Sequence, residues 1–320
     1  MLSGAEIDTI VLSSGGPKAF PAFIAVLQEL VSARRLRLGN LRRCQGTSAG
    51  AVMALCLALR LPFSEILRCF DESLREASAI SLAPETIFST LGAIDASLAE
   101  TGVSRLLAKG EVPSNATFGM LADMHPFDLV VVATNVNDGS AVAFSASLTP
   151  SVRVLDAVVA SMSIPFVFPP RRILVDEKPV LCVDGAVADP LPLGFVAGVP
   201  KCNSQKTLAV RVCCATTSIQ ADAGVNALTY ASHIISLMLT KIEQCETRGF
   251  VVVNVALPSS TSFVKLTPQQ RSTSVAIATT TAIEATALIE PIGGARSIGT
   301  QTSPVKNLVH GNQSRSNERD

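Results

Sequence analysis

Short apolar runs rich in β-branched residues alternate along this chain with longer stretches in which apolar side chains return every third or fourth position. The first run, Thr9-Ile10-Val11-Leu12, reads as a strand and leads into Ser13-Ser14-Gly15-Gly16-Pro17. Phe20, Phe23, Ile24, Leu27, Leu30 and Val31 then recur at helical spacing. A short strand near Leu41 to Gln45 precedes Gly46-Thr47-Ser48-Ala49-Gly50. The helix that starts there is apolar almost all round to Leu59, which predicts burial on every side.

Residues 63–125 carry helical but irregular periodicity, with a capping-type start at Ser64 and a polar break at Lys109-Gly110-Glu111, and read as a helical insertion beside a core. Phe127 to Ala133 is a continuous apolar run of strand length, the pattern of a strand covered on both faces. Ala141 to Ser145 follows a turn at Asn137-Asp138-Gly139. Further on come a helix from Val154 to Ser161, strands near Ile173–Val175, Val180–Val183 and Leu208–Cys213, a long amphipathic helix carrying Leu228, Ile235, Met238 and Ile242, and a last strand from Phe250 to Val255. Strands alternating with helices predict an α/β fold on a mostly parallel sheet. Residues 1–299 are expected to form one domain. Residues 300–320, polar and turn-rich, are expected to be a disordered tail.

Composition narrows the function classes. The 320 residues hold 26 basic and 26 acidic side chains, a balance that argues against a nucleic-acid binder. The chain is 48% hydrophobic and 16% charged, enough to cover a sheet on both faces or to leave apolar surface that touches lipid. The most apolar run, Ala51 to Leu59, ends at Arg60 and Pro62, far short of the ~20 residues of a membrane span. The start, Met1 to Asp8, has no basic n-region and meets acids at once, so no signal peptide is expected. Eight scattered cysteines without a C-x-x-C pair suit reduced, buried thiols in a cytoplasmic protein. Two sequons, at Asn115 and Asn312, carry little weight without a secretion signal.

Gly46-Thr47-Ser48-Ala49-Gly50 fits G-x-S-x-G, the elbow that puts a nucleophilic serine on a sharp strand-to-helix turn. The flanking glycines leave room where side chains would strike strand and helix, and the helix start aims its positive end at an anion forming at Ser48. The plainer reading is a tight turn with Ser48 as helix N-cap. Acyl transfer needs backbone N–H donors for the oxyanion. Gly15, Gly16 and Ala49 are the candidates, whereas Pro17 has no N–H to give. Lys18 either anchors this loop through backbone carbonyls or is a solvated charge. A phosphate loop is excluded by the absence of G-K-[ST] and of G-x-G-x-x-G.

The serine needs a base. His310 lies in the polar tail, His125 precedes Pro126 at a strand entrance, and His233 falls within the long amphipathic helix. The order Ser48, Asp184, His233 would permit an α/β-hydrolase triad, but a mid-helix histidine suits that role poorly. Asp184, at the end of an apolar strand and followed by Gly185-Ala186, faces the crevice at the strand ends. Partial desolvation would raise its proton affinity and suit it to act as a base. The alternative there is an Asx-turn at a strand end.

Together, Ser14-Gly15-Gly16-Pro17-Lys18-Ala19, Gly46-Thr47-Ser48-Ala49-Gly50 and Asp184-Gly185-Ala186 resemble the G-G-G-x-[RK]-G, G-x-S-x-G and D-G-[GA] motifs of the patatin-like phospholipase family, in the same order. Phe118-Gly119-Met120-Leu121, Val131 to Asn135 and Ala160 to Pro170 are similar as well, so the likeness runs over residues 8–215. It implies a three-layer α/β/α fold, a Ser48–Asp184 dyad with Gly15, Gly16 and Ala49 as oxyanion donors, and hydrolysis of phospholipid or neutral-lipid esters. It implies no metal and no cofactor. A lipid substrate and peripheral membrane contact follow, while no protein partner is indicated. Ser14 and Ala19 replace outer glycines of the loop, and a fold kept for interaction after loss of activity is the rival reading. Residues 63–125 could give access to substrate or simply pack.

Overall fold

The structure is a computed structural model and describes residues 1–79, 87–194, 198–214, 247–258 and 266–292. The expected helix carrying Leu228 to Ile242, with His233, and the tail with His310 lie outside the described residues.

The strands are β1 (Leu2–Ser3), β2 (Thr9–Leu12), β3 (Arg43–Thr47), β4 (Asp128–Asn135), β5 (Ala141–Phe144), β6 (Arg171–Val175), β7 (Lys178–Asp184), β8 (Thr207–Cys214), β9 (Val251–Leu257) and β10 (Ile289–Glu290). The helices are α1 (Gly16–Ser32), α2 (Ala49–Ala58), α3 (Phe63–Ala79), α4 (Ile87–Thr90), α5 (Ser97–Lys109), α6 (Phe118–Met124), α7 (Val154–Ser161) and α8 (Pro268–Ala285). The main sheet has the order β6-β7-β4-β3-β2-β8-β9, with β5 beside β4. Pairings from β4 through β3, β2 and β8 to β9 are parallel, and those of β5, β6 and β7 are antiparallel. The fold is α/β on a mostly parallel sheet.

Alternation along the central strands divides the core. Ile10, Leu12, Cys44, Leu129, Val131, Leu208 and Val210 join the main apolar core with α1, α2, α7 and α8. On the opposite face Val11 and Ala209 pack with Leu191, Leu193 and Cys202, while Val130 and Val132 pack with Val199. Helix α2 is buried from Gly50 to Ala58 apart from Val52, as its unbroken apolar sequence requires.

Helices α3 to α6 occupy the stretch read as an insertion. α3 and α5 lie together, joined by Arg105 to Glu72 at 3.2 Å and to Glu76 at 2.6 Å. Two elements had no counterpart in the sequence pattern. One is α8, which packs along α1 through Ser274, Ala278, Ala282 and Ala285. The other is the small parallel pairing of β1 with β10.

Candidate active site

Register brings the two candidate catalytic strands to one point. Val131 and Val132 of β4 pair with β3 on one edge and β5 on the other, and Ala133 and Thr134 pair with β5 and β7. Strands β3 and β7 therefore share an edge of β4 and run head-on toward each other. Thr47, the last residue of β3, sits opposite Val132, and Asp184, the last residue of β7, sits opposite Ala133. Ser48 follows directly from Thr47, so the two chain ends deliver their side chains to the same place.

The Ser48 hydroxyl donates to Asp184 Oδ2 at 2.7 Å, with both residues buried. Ser48 occupies the N-cap position of α2, yet its hydroxyl makes no capping bond. Its backbone stands at φ 55°, ψ −120°, a conformation that costs a non-glycine residue about 1–3 kcal/mol. Asp184 Oδ1 meanwhile accepts from Ala186 N–H at 2.9 Å. The Asx-type turn and the contact to serine thus coexist, one oxygen each. Burial pushes the Asp184 carboxyl up to about 7, against the opposing pull of the Ala186 N–H and the Ser48 hydroxyl.

The glycines have steric reasons. A Cβ on Gly46 would lie 2.3 Å from Gly50 O, one on Gly50 2.3 Å from Leu12 O, and one on Gly185 2.2 Å from Val132 O. The elbow is thereby pressed against the end of β2, where the Gly15-Gly16 loop begins. Gly15 (φ 148°) and Gly16 (φ 62°) adopt backbone conformations that L side chains rarely take. The N–H groups of Gly15, Gly16 and Ala49 have no hydrogen-bond partner among the described residues, as expected where helices start. Ser14 fits the loop, its N–H donating to Pro190 O at 2.8 Å, and Ala19 is fully buried in α1. Lys18 is buried and its Nζ donates to Pro258 O at 2.7 Å, the anchoring alternative rather than the solvated one.

Several supporting residues were not singled out from sequence. Ser161 Oγ accepts from Ser48 N–H at 2.9 Å and donates to Val132 O at 2.6 Å. Thr134 Oγ1 donates to Asp184 O, and Asp184 N–H donates to Ser163 O, both at 2.8 Å. Ser161 and Thr134 fall within the stretches that resemble the family, which was the available signal, though nothing in their spacing assigned a task. His125 caps α6 before the first residue of β4, at the end of the sheet away from Ser48.

Beside the dyad opens an apolar cavity. Gly16, Ala49 and Met162 form its inner end, and α3 and α5 its far walls, through Ile66, Phe70, Gly102 and Leu106 among others. Residues 63–125 therefore line the space that reaches the oxyanion candidates.

Comparison with known proteins bears on family and fold. The family model described as patatin-like phospholipase matches residues 10–197. An uncharacterized protein, R571, of Acanthamoeba polyphaga mimivirus is 27% identical over 173 residues, which are 53% of this chain and 56% of that protein. This chain thus spans little more than half the length of that relative. Among solved structures, VipD from Legionella pneumophila superposes with a TM-score of 0.50 at 15% identity, over 89% of this chain and 67% of VipD, which shows the shared fold. ExoU, in its heterodimeric complex with SpcU from the type III secretion system of Pseudomonas aeruginosa, is 17% identical, with a TM-score of 0.42 over 89% of this chain and 52% of that one.

Proposed function

The chain belongs to the patatin-like phospholipase family, and from that premise we propose that it is a lipid acyl hydrolase working through Ser48 and Asp184. The observation that carries this is the 2.7 Å contact between the hydroxyl of a serine on strained backbone and a buried carboxylate. Ser48 Oγ attacks the ester carbonyl as its proton passes to Asp184 Oδ2. The oxyanion takes hydrogen bonds from the N–H groups of Gly15, Gly16 and Ala49. Collapse breaks the ester bond, and the departing alkoxide takes the proton from Asp184. Water then gives a proton to Asp184 and adds to the acyl-enzyme, and release of the fatty acid returns that proton to Ser48.

The apolar lining of the cavity supports an acyl chain as the part of the substrate held, which fits esters of phospholipids or neutral lipids. Cys44, Cys56, Cys69, Cys182 and Cys202 are buried free thiols, which suits a reducing compartment such as the cytoplasm. Among the described residues no helix is long and apolar enough to cross a membrane. Peripheral contact with a lipid surface is part of this reading.

The rival reading, a fold kept for interaction without chemistry, drew on the altered glycine loop. The fit of Ser14 and Ala19 in the loop supports the catalytic reading over it. A fluorophosphonate probe should label Ser48, and mixed lipids incubated with the protein should release free fatty acid detectable by mass spectrometry. Asp184→Asn should lower the rate about 10²–10⁴-fold. Unchanged lipid hydrolysis by Ser48→Ala would refute the proposal, and acyl transfer to another alcohol would appear as a new ester among the products.

A further inference from the structure

Eight non-glycine residues among those described have positive φ: Arg34, Ser48, Arg60, Leu91, Glu111, Phe166, Asp176 and Glu177. Five are charged turn residues and one is the candidate nucleophile. The other two, Leu91 (φ 62°) and Phe166 (φ 64°), are large and apolar, and they are 53% and 48% exposed. Folding alone rewards neither a side chain on left-handed backbone nor an apolar one left in water. Single exposed apolar residues need no explanation, but these two are neighbours. Gly92 forms a bridge with Phe166, and the N–H groups of Ala93 and Ile94 donate to Phe166 O and Val167 O at 3.0 and 2.9 Å.

The pair rides on a firm support. Val167 and Phe168 N–H both donate to Ile164 O, which closes a turn with Phe166 at its tip. Gly92 lies so close that a Cβ there would come within 2.4 Å of Pro169 N. Beneath the tip Ile94, Ile164, Val167 and Phe168 form an apolar cluster of their own with Leu98. Three of its members, Leu98, Ile164 and Phe168, also line the cavity, and Ser163 O, one residue before the turn, holds the Asp184 N–H. One short turn therefore joins the candidate base, the cavity wall and the exposed phenyl ring.

We propose that Leu91 and Phe166 are the point at which this protein inserts into a lipid surface, seating the cavity beside the bilayer. The inference rests on reading the cavity as a lipid site. Its occupant is lipid rather than a charged partner because both exposed side chains at the tip are apolar, and the cluster beneath them continues into the apolar cavity wall through Leu98, Ile164 and Phe168. The apolar contact then suffices for neutral phosphatidylcholine.

Binding is best measured in a Ser48→Ala background, so that the vesicles are not consumed. The chain has no tryptophan, so Phe166→Trp supplies a lone indole reporter. Phosphatidylcholine vesicles should shift its emission to the blue, and brominated phosphatidylcholine should quench it. Leu91→Gly and Phe166→Gly suit the observed φ, so they keep the fold, and each should weaken vesicle co-sedimentation by about tenfold. An indole that stays in water when vesicles are added would overturn the proposal. So would glycine variants that bind as tightly as their parent, which would place the contact elsewhere or assign the tip to a protein partner. Fluorophosphonate labelling of the unmutated chain tests the hydrolase reading separately, so a chain that binds vesicles without labelling fails on that reading alone.

Discussion

Ser161 and Asp184 divide the task of holding Ser48. Asp184 takes the hydroxyl, and Ser161 takes the backbone N–H and passes a hydrogen bond on to Val132 O. The second contact fixes a residue whose φ of 55° is not one it would choose. Ser161→Ala would leave a buried N–H unpartnered at a cost of about 1–3 kcal/mol, and the elbow would relax to recover it. The expected result is a kcat lowered by roughly 10–100-fold with KM little changed, since a small misplacement of the attacking atom acts on the chemical step. The pH midpoint of the rate should move little, because burial, the main cause of the raised Asp184 value, is unchanged. A Ser161→Ala enzyme that raised KM and kept kcat would show that this hydroxyl serves the cavity instead.

Helices α3 and α5 supply the far walls of the cavity proposed to hold the acyl chain. Gly102 of α5 faces Ser73 of α3, and a Cβ on it would stand 3.2 Å from Ser73 Oγ. Gly102→Leu would fill this space while adding helix propensity. Hydrolysis of a palmitoyl ester should fall by about tenfold or more while that of a butyryl ester is kept, a contrast that a chain-length series would reveal. An equal loss on both esters would mean the cavity is not where the chain lies. Much at this scale could be read from sequence. The runs Thr9–Leu12 and Val154–Ser161 appear as written, and other strands shift by a residue or two. Helix α8 escaped because its buried face is Ser274, Ala278, Ala282 and Ala285, small residues that carry little hydrophobic contrast. Its real signal was Thr267-Pro268-Gln269-Gln270, a capping box with proline in the first turn. The head-on meeting of β3 and β7 was not legible either, since strand order and direction come from pairing between distant segments. The motif order could suggest that Ser48 and Asp184 meet, and only the register on β4 explains how.

For the whole molecule, the carboxylate proposed as base would set activity and stability against each other. A base must be ionised, so hydrolysis should rise with pH through about 7, the value to which burial pushes Asp184. In the unfolded chain the same group ionises near pH 4. Between about pH 4 and 7 the unfolded state has released this proton and the folded state still holds it, so stability falls as pH rises across that window. Above 7 the penalty is complete, on the order of 4 kcal/mol if the whole shift is expressed. Because α1, α2, α5, α7, α8 and the central strands share one apolar core, global unfolding should report this local charge. Asp184→Asn removes the charge and keeps an amide oxygen that can accept from Ala186 N–H. Relative to the parent it should gain stability steadily from pH 4 to 8 in urea titrations, while its hydrolysis is lost. Parent and variant curves that run parallel at every pH would mean that Asp184 titrates normally, and a dyad whose base is poised near neutrality would then have to be abandoned.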